Sequence, residues 1–297
     1  ERVMKDKRTA VVLCIFAIYL CVSCSQTFEP NSEPVTAILG AFEKEITLLE
    51  DRLTERREHQ IEAIRFVTGK LHGRNVVVVW TGVGKVNASM TTTLLIEHFK
   101  PKHIIFTGIA GAVNPDLQPG DIVIAEKTAH HDMGTVWPEG LFVKGVKNRL
   151  DGTENPVFFP ADEKLVTCAQ QAAERIEMQR VQTITGTRNP KIIKGVIVTG
   201  DSFIASTEKC AELRKKLQAD AVEMEGAAVA QICYQRQIDH LIIRSISDSA
   251  DEGAVLDKQM FYILAAKNSS DLVAEMIGLL DSEFSTEKDN GNKKSGD

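Results

Sequence analysis

The sequence predicts an α/β fold, a mostly parallel or mixed sheet covered by helices on both faces. Three observations carry this. Short continuous apolar runs, such as "NVVVVW" (75–80) and "HLIIRSIS" (240–247), are bounded by turn residues, as strands buried on both faces are. Amphipathic segments of helical period alternate with those runs. The chain has 297 residues, 43% of them hydrophobic and 26% charged, an ordinary globular balance with enough length for a sizeable core.

In order, "VTAILGAF" (35–42) reads as a buried strand ending at Gly40, and "EKEITLLEDRLTER" (43–56) as an amphipathic helix. Residues 75–82 form a second central strand, followed by a helix over 87–99. "HIIFTG" (103–108) and "DIVIAEKTAHHD" (121–132) read as strands, as do 194–201, 220–224 and 240–247. Helices are expected at 163–175, 208–217, 225–237 and roughly 257–282. The stretch 137–160, rich in proline and glycine, reads as a long surface loop, and 177–193 as a polar insertion. The polar tail, 283–297, has the composition of a disordered segment.

The start of the chain is different. A basic beginning (Lys5, Lys7, Arg8) leads into an apolar run from Ala10 to Leu20 and then small residues, the layout of a secretory signal over residues 1–24. The run is short for a membrane span. Cys24, after Cys21, Val22 and Ser23, resembles a relaxed bacterial lipobox, in which the cysteine becomes the lipidated first residue of an exported, envelope-anchored protein. Residues 25–34 read as a linker and 35–282 as the folded domain. Beyond the leader only Cys168, Cys210 and Cys233 remain, widely spaced, with neither a metal pattern nor a disulfide framework. The formal net charge of −6 argues against general nucleic-acid binding.

Two motifs are set aside. "TGVGKVN" (81–87) fails as a phosphate loop, because Val79 stands where a glycine is required and no hydroxyl follows Lys85. It reads as a strand-to-helix turn whose glycines let the backbone approach a ligand. "HHD" (130–132) has no second ligand cluster, so a hydrogen-bond network at a strand end is the better reading than a metal site.

The chemistry lies elsewhere. "AVEMEGAAVAQ" (221–231) places Glu223 and Glu225 in an otherwise apolar run, where an unpaired carboxylate loses its hydration at high cost. Glu45, Asp201 and Asp248 also stand where strands should end, and ligands of open α/β sheets bind outside strand ends. Helix caps and salt bridges are the competing reading for any one such acid taken alone, but several in one chain are harder to dismiss.

The segments "GAFEKEITLL", "TGIAGAVNPDLQPGDIVIA", "VTGDSFI", "AVEMEGAAVA" and "RSISDSAD" resemble the 5′-methylthioadenosine/S-adenosylhomocysteine nucleosidases of the purine nucleoside phosphorylase superfamily, in the right order from about Val35 to Leu280. The resemblance implies a single three-layer domain with a central twisted mixed sheet, a homodimer, a small nucleoside substrate, and neither cofactor nor metal. It assigns Asp248 as the acid that protonates the leaving base and Glu45 as the residue that activates water. Glu225 would bind the ribose hydroxyls, Met224 would pack beneath the sugar, Phe203 would stack on adenine and the Ile204 backbone would read its edge. An ion pair with Arg244 would make Glu223 a supporting residue.

The phosphorylases of the superfamily break the same bond with phosphate, typically using an arginine after the first strand and a hydroxyl in the "TG(S/T)xG" turn. Here Glu45 follows the first strand, and a carboxylate repels phosphate. The later turn is "TGIAGA", with Ile109 where both branches usually carry a hydroxyl. Hydrolysis is therefore favoured and phosphorolysis is the alternative. Lys258 stands near an expected aromatic of the substrate-tail pocket, with Met260 or Phe261 as substitutes. A reading of another class is a polyanion-binding surface, such as one for a glycosaminoglycan. It would use Lys144, Lys147, Arg149, Arg175, Arg180, Arg188, Lys191 and Lys194 in the insertions.

Overall fold

A computed structural model describes residues 35–183 and 186–284. The expected leader and linker, and residues 285–297 of the expected tail, lie outside the described residues. Among the described residues no helix is long and apolar enough to cross a membrane.

The strands are β1 (Thr36–Gly40), β2 (Thr54–Ile61), β3 (Ile64–Leu71), β4 (Arg74–Trp80), β5 (His103–Phe106), β6 (Ile109–Ala112), β7 (Ile122–His130), β8 (Gly134–Trp137), β9 (Gly140–Val143), β10 (Phe158–Pro160), β11 (Val181–Thr183), β12 (Gly186–Arg188), β13 (Ile192–Thr199), β14 (Ala221–Glu223) and β15 (Asp239–Asp248). The helices are α1 (Glu43–Glu50), α2 (Lys85–Phe99), α3 (Glu163–Ala173), α4 (Thr207–Leu217), α5 (Gly226–Arg236) and α6 (Ala254–Phe284). Eleven strands form one mixed sheet in the order β10-β7-β13-β14-β6-β15-β5-β1-β4-β3-β2, and a further β7–β15 pairing closes β7, β13, β14, β6 and β15 into a ring.

Period-two alternation explains the three layers. Ala37 and Leu39 of β1, Val77 and Val79 of β4, and Ile104 and Phe106 of β5 pack in one core with residues of α2 and α5. Their neighbours Ile38, Val76, Val78 and Ile105 face the opposite core, with residues of α1, α3 and α6. Strands buried on both sides must be apolar throughout, which is why they were legible as continuous runs.

β1 is parallel to β4 and β5, and β15 is parallel to β5 and β6. β7, β13 and β14 are parallel to one another. The two sets meet antiparallel at β14–β6 and β7–β15. The polar residues that follow β1, β4, β13 and β14 converge near this seam.

The structure corrects four expectations. The helix expected over 43–56 ends at Glu50, and the chain turns into the β2–β3 hairpin. Glu50 accepts hydrogen bonds from Arg65 at 3.0 and 2.9 Å and from Arg56 at 3.1 Å. "TERREHQI" has helix-forming composition, but it is the outer strand of the sheet and scarcely buried. Charged side chains suit an exposed edge, and tertiary pairing overrides local propensity there. The expected loop over 137–160 contains β9 and β10 and the end of the β8–β9 hairpin, and the insertion at 177–193 contains β11–β12. "TGIAGA" is not only a turn, since β6 inserts between β14 and β15.

Candidate active site

Glu45 is the third residue of α1 and fully buried. Its Oε2 accepts the backbone N–H groups of Ala41 at 2.8 Å and Phe42 at 3.0 Å, so it caps its own helix. Oε1 is buried without a hydrogen bond of normal geometry. Gly108 makes room for it, since a Cβ there would stand 3.2 Å from both carboxylate oxygens and 3.4 Å from Arg244 Cζ. Burial raises the Glu45 pKa to about 7, against the lowering effects of the Arg244 charge and the backbone N–H groups of Phe42, Ala41 and Ile109. A carboxyl titrating there is poised for proton transfer at neutral pH.

The two acids of 221–231 divide sharply. Glu223 ends β14 and is satisfied on every side. Arg244 Nη2 donates to its Oε2 at 2.8 Å. The backbone N–H groups of Glu225 and Gly226 donate to it at 2.7–3.0 Å, and the Thr199 hydroxyl also donates. Arg244 is 1% exposed, lies over the Phe106 ring at 4.1 Å, and spends Nη1 on the carbonyls of Phe106 and Ile243. Glu225 is the N-cap residue of α5 and buried, with its Oε1 accepting the Gly84 N–H at 2.8 Å. Burial and then the neighbouring Glu223 push its pKa well up, with Glu45 adding to the effect, while Arg244 and the Gly84 N–H oppose it. The turn after β4 reaches Glu225 because Gly82 and Gly84 adopt φ of +78° and +91°, which favour glycine.

Asp248 is the last residue of β15 and 1% exposed. The Ser247 hydroxyl donates to its Oδ2 at 2.7 Å and the Ala250 N–H to its Oδ1 at 2.9 Å. A register shift after Ile246 sets Asp248 opposite Gly111, where a Cβ would come within 2.8 Å of Oδ1.

Met224 and Ile204 are half-buried, and Phe203 is 42% exposed. Phe203 lines an open cavity of about 740 Å³ with Phe42, Trp80, Val255, Gln259 and Tyr262. Tyr262 packs edge-on against Phe42 at 5.8 Å, and its hydroxyl is pushed far above its usual range by burial and then the Glu45 charge. The cavity therefore opens beside Glu45. Trp80, the last residue of β4, and Tyr262, within α6, escape a reading by residue type, because an aromatic in a strand or a helix looks like core. Lys258 and Met260 lie outside the described side chains, and Phe261 is half-buried.

The remaining polar residues of the two motifs are network members. His130 Nε2 meets Gln231 Oε1 at 3.0 Å. Asp132 binds Lys85 Nζ at 2.7 Å and the Asp201 N–H at 3.0 Å. Among the described residues no group of His, Cys, Asp and Glu is arranged to hold a metal. Of the basic residues in the insertions, Arg188 binds Asp121 at 2.7 Å, Lys191 Nζ donates to the Asp116 carbonyl at 2.5 Å, and Lys194 pairs with Glu126 at 3.2 Å.

Residues 35–278 match the family model described as the phosphorylase superfamily. The chain is 37% identical over 245 residues to a 5′-methylthioadenosine/S-adenosylhomocysteine nucleosidase of Geobacillus sp., covering 82% of this chain and 98% of that one. Its fold is similar to that of the corresponding nucleosidase of Neisseria meningitidis in complex with methylthio-immucillin-A, with a TM-score of 0.71, 35% identity, and 82% and 98% of the two chains covered. It is also similar to futalosine hydrolase of Helicobacter pylori, with a TM-score of 0.70, 29% identity, and 82% and 97% covered.

Proposed function

The chain belongs to the phosphorylase superfamily and, within it, to the 5′-methylthioadenosine/S-adenosylhomocysteine nucleosidases, and from this we infer that it hydrolyses the N-glycosidic bond of those two nucleosides. The products are adenine and the 5-thio-ribose. The observation that supports this best is the set of buried acids Glu45, Glu225 and Asp248 where the two strand sets meet, with an aromatic cavity beside Glu45.

Breaking the bond builds positive charge on the ribose and negative charge on the base, an oxocarbenium-like transition state. In the proposed roles, Asp248 gives a proton to N7 of adenine, and Glu45 takes one from the attacking water. Glu225 accepts the 2′ and 3′ hydroxyls, and its charge favours the developing cation. Met224 packs beneath the sugar. Phe203 stacks on the base, whose edge the Ile204 backbone reads. Glu223 and Arg244 hold this arrangement from behind.

Water is favoured over phosphate as the second substrate. Arg244 is the cation that acts on both Glu45 and Glu225, and it is bound to Glu223, Phe106 and Ile243. Beside Glu45, Ile109 offers a phosphate no side-chain donor. The expected result is adenine release from 5′-methylthioadenosine at the same rate with and without phosphate. A requirement for phosphate, with a sugar 1-phosphate as product, would move the chain to the phosphorylases.

Two finer parts complete the proposal. The protein is exported and held at the cell envelope by a lipid on Cys24, a reading supported by the layout of residues 1–24. It pairs as a homodimer, supported by the family and by an exposed apolar stripe of Val83, Val86 and Met90. Cys24→Ala should abolish fatty-acid labelling and membrane sedimentation, and light scattering of the chain without residues 1–24 should give twice its mass. Labelling that survives the substitution, or a monomer mass, would remove the corresponding part. With Arg188, Lys191 and Lys194 each already paired to an acidic or carbonyl group of the chain, a polyanion-binding surface is the weaker reading.

A further inference from the structure

The turn that offers Gly84 to Glu225 is itself held. The Lys85 N–H donates to Asp201 Oδ1 at 2.8 Å. The Lys85 ammonium donates to Asp132 Oδ1 at 2.7 Å and stands 3.6 Å from Asp201 Oδ2. The Asp201 N–H donates to Asp132 Oδ2 at 3.0 Å. These three residues join the start of α2, the end of β7 and the loop after β13. One residue before Lys85 is Gly84, and shortly after Asp201 come Phe203 and Ile204. Burial disfavours the charge on Asp132, but Lys85 and the Asp201 N–H outweigh it and hold the carboxyl below its usual range. Burial lowers the pKa values of the adjoining His130 and His131, so Lys85 supplies the positive charge.

We propose that the Lys85–Asp132–Asp201 cluster is a positioning device that aims the Gly84 N–H at Glu225 and fixes the distance between the ribose-binding carboxylate and the base-binding loop. This rests on the nucleosidase reading for the roles of Glu225 and Phe203. None of the three residues touches the reacting atoms. The side chains of Lys85, Asp132 and Asp201 are 18%, 32% and 49% exposed, so their ion pairs contribute little to stability and the cluster acts on geometry. Four groups face Glu225: Glu223 of β14, Arg244 of β15, Glu45 of α1 and the Gly84 N–H. Losing the Gly84 N–H removes one of the two influences that favour the ionised form. Glu225 then ionises at higher pH, and activity at neutral pH falls but recovers as pH rises.

The test uses full-length wild type, Lys85→Met, Asp132→Asn and Lys85→Arg, with 5′-methylthioadenosine as substrate across pH. Lys85→Met and Asp132→Asn should lose about tenfold or more in kcat/KM at neutral pH, mostly in kcat, because small misplacements at a reacting centre are costly. Their acidic limb should move upward with the unfolding midpoint unchanged, and Lys85→Arg should keep most of the activity. Hydrogen exchange at the Gly84 amide gives a readout free of catalysis, slow in the wild type and faster in Lys85→Met. Wild-type kinetics in both variants, a loss with the limb unmoved, or an equally protected Gly84 amide would overturn the proposal. A wild-type chain that releases no adenine would defeat the nucleosidase reading, while the exchange measurement would still decide the positioning.

Discussion

In its proposed role as general base, Glu45 accounts for a loss of about 10²–10⁴-fold in kcat for adenine release in Glu45→Gln, with KM nearly unchanged. Glutamine keeps the shape and can accept the Ala41 and Phe42 N–H groups, so the helix cap survives while the proton acceptor is lost. Asp248→Asn gives a loss of similar size by removing the proposed proton donor to the base. A separate readout checks the protonation state of Glu45. With its pKa at about 7 in the fold and 4.5 as the ordinary value, the native state keeps a proton across that interval that the unfolded chain has released. Stability therefore falls as pH rises from 4.5 to 7, and Glu45→Gln flattens that part of the curve. Denaturant titrations at a series of pH values measure it. Full activity in Glu45→Gln, with an unchanged slope, would place the base elsewhere.

Arg244→Leu has the largest expected effect on stability. Removing one partner of a buried ion pair leaves the other charge uncompensated, which costs about 3–5 kcal/mol. For a domain of this size that lowers the thermal midpoint by roughly 10 °C. Glu223 keeps its N–H and hydroxyl donors but loses its counter-charge. Combining Arg244→Leu with Glu223→Gln should recover part of the loss, a coupling that a double-mutant cycle exposes. The single variant should also move the acidic limb of activity upward, because Arg244 holds down the pKa values of both Glu45 and Glu225. A thermal midpoint within about 1 °C of wild type would show that the pair does not support the fold.

Much of this was legible in the sequence, and the reasons are physical. Ile104–Phe106 and Val76–Val79 are strands buried on two faces, and such strands leave no room for polar residues. Acids stranded in apolar surroundings, as in "AVEMEG", announce themselves because burying them needs compensation. "TERREHQI" hid its strand because an edge needs only one pairing partner and can be charged throughout. β6 hid in "TGIAGA" because a strand of four residues, three of them small, carries no periodic signal. The Gly84 contact with Glu225 and the tie between Lys85 and Asp132 join residues 141 and 47 positions apart, and no local pattern encodes such distances. Trp80 and Tyr262 became visible as cavity walls only once the fold brought them to one cavity.

The ring of five strands has a consequence for when activity can appear. It closes by pairing Val123 with Arg244, residues far apart in the chain, and that register seats the guanidinium behind Glu223. Contacts of such long sequence separation carry a loop-closure entropy that local contacts do not. The β1–β4–β5 half can assemble early from nearby segments, but the carboxylates acquire their counter-charge only when β15 is in place. The site's chemistry is thus tied to the closure of the five-strand ring.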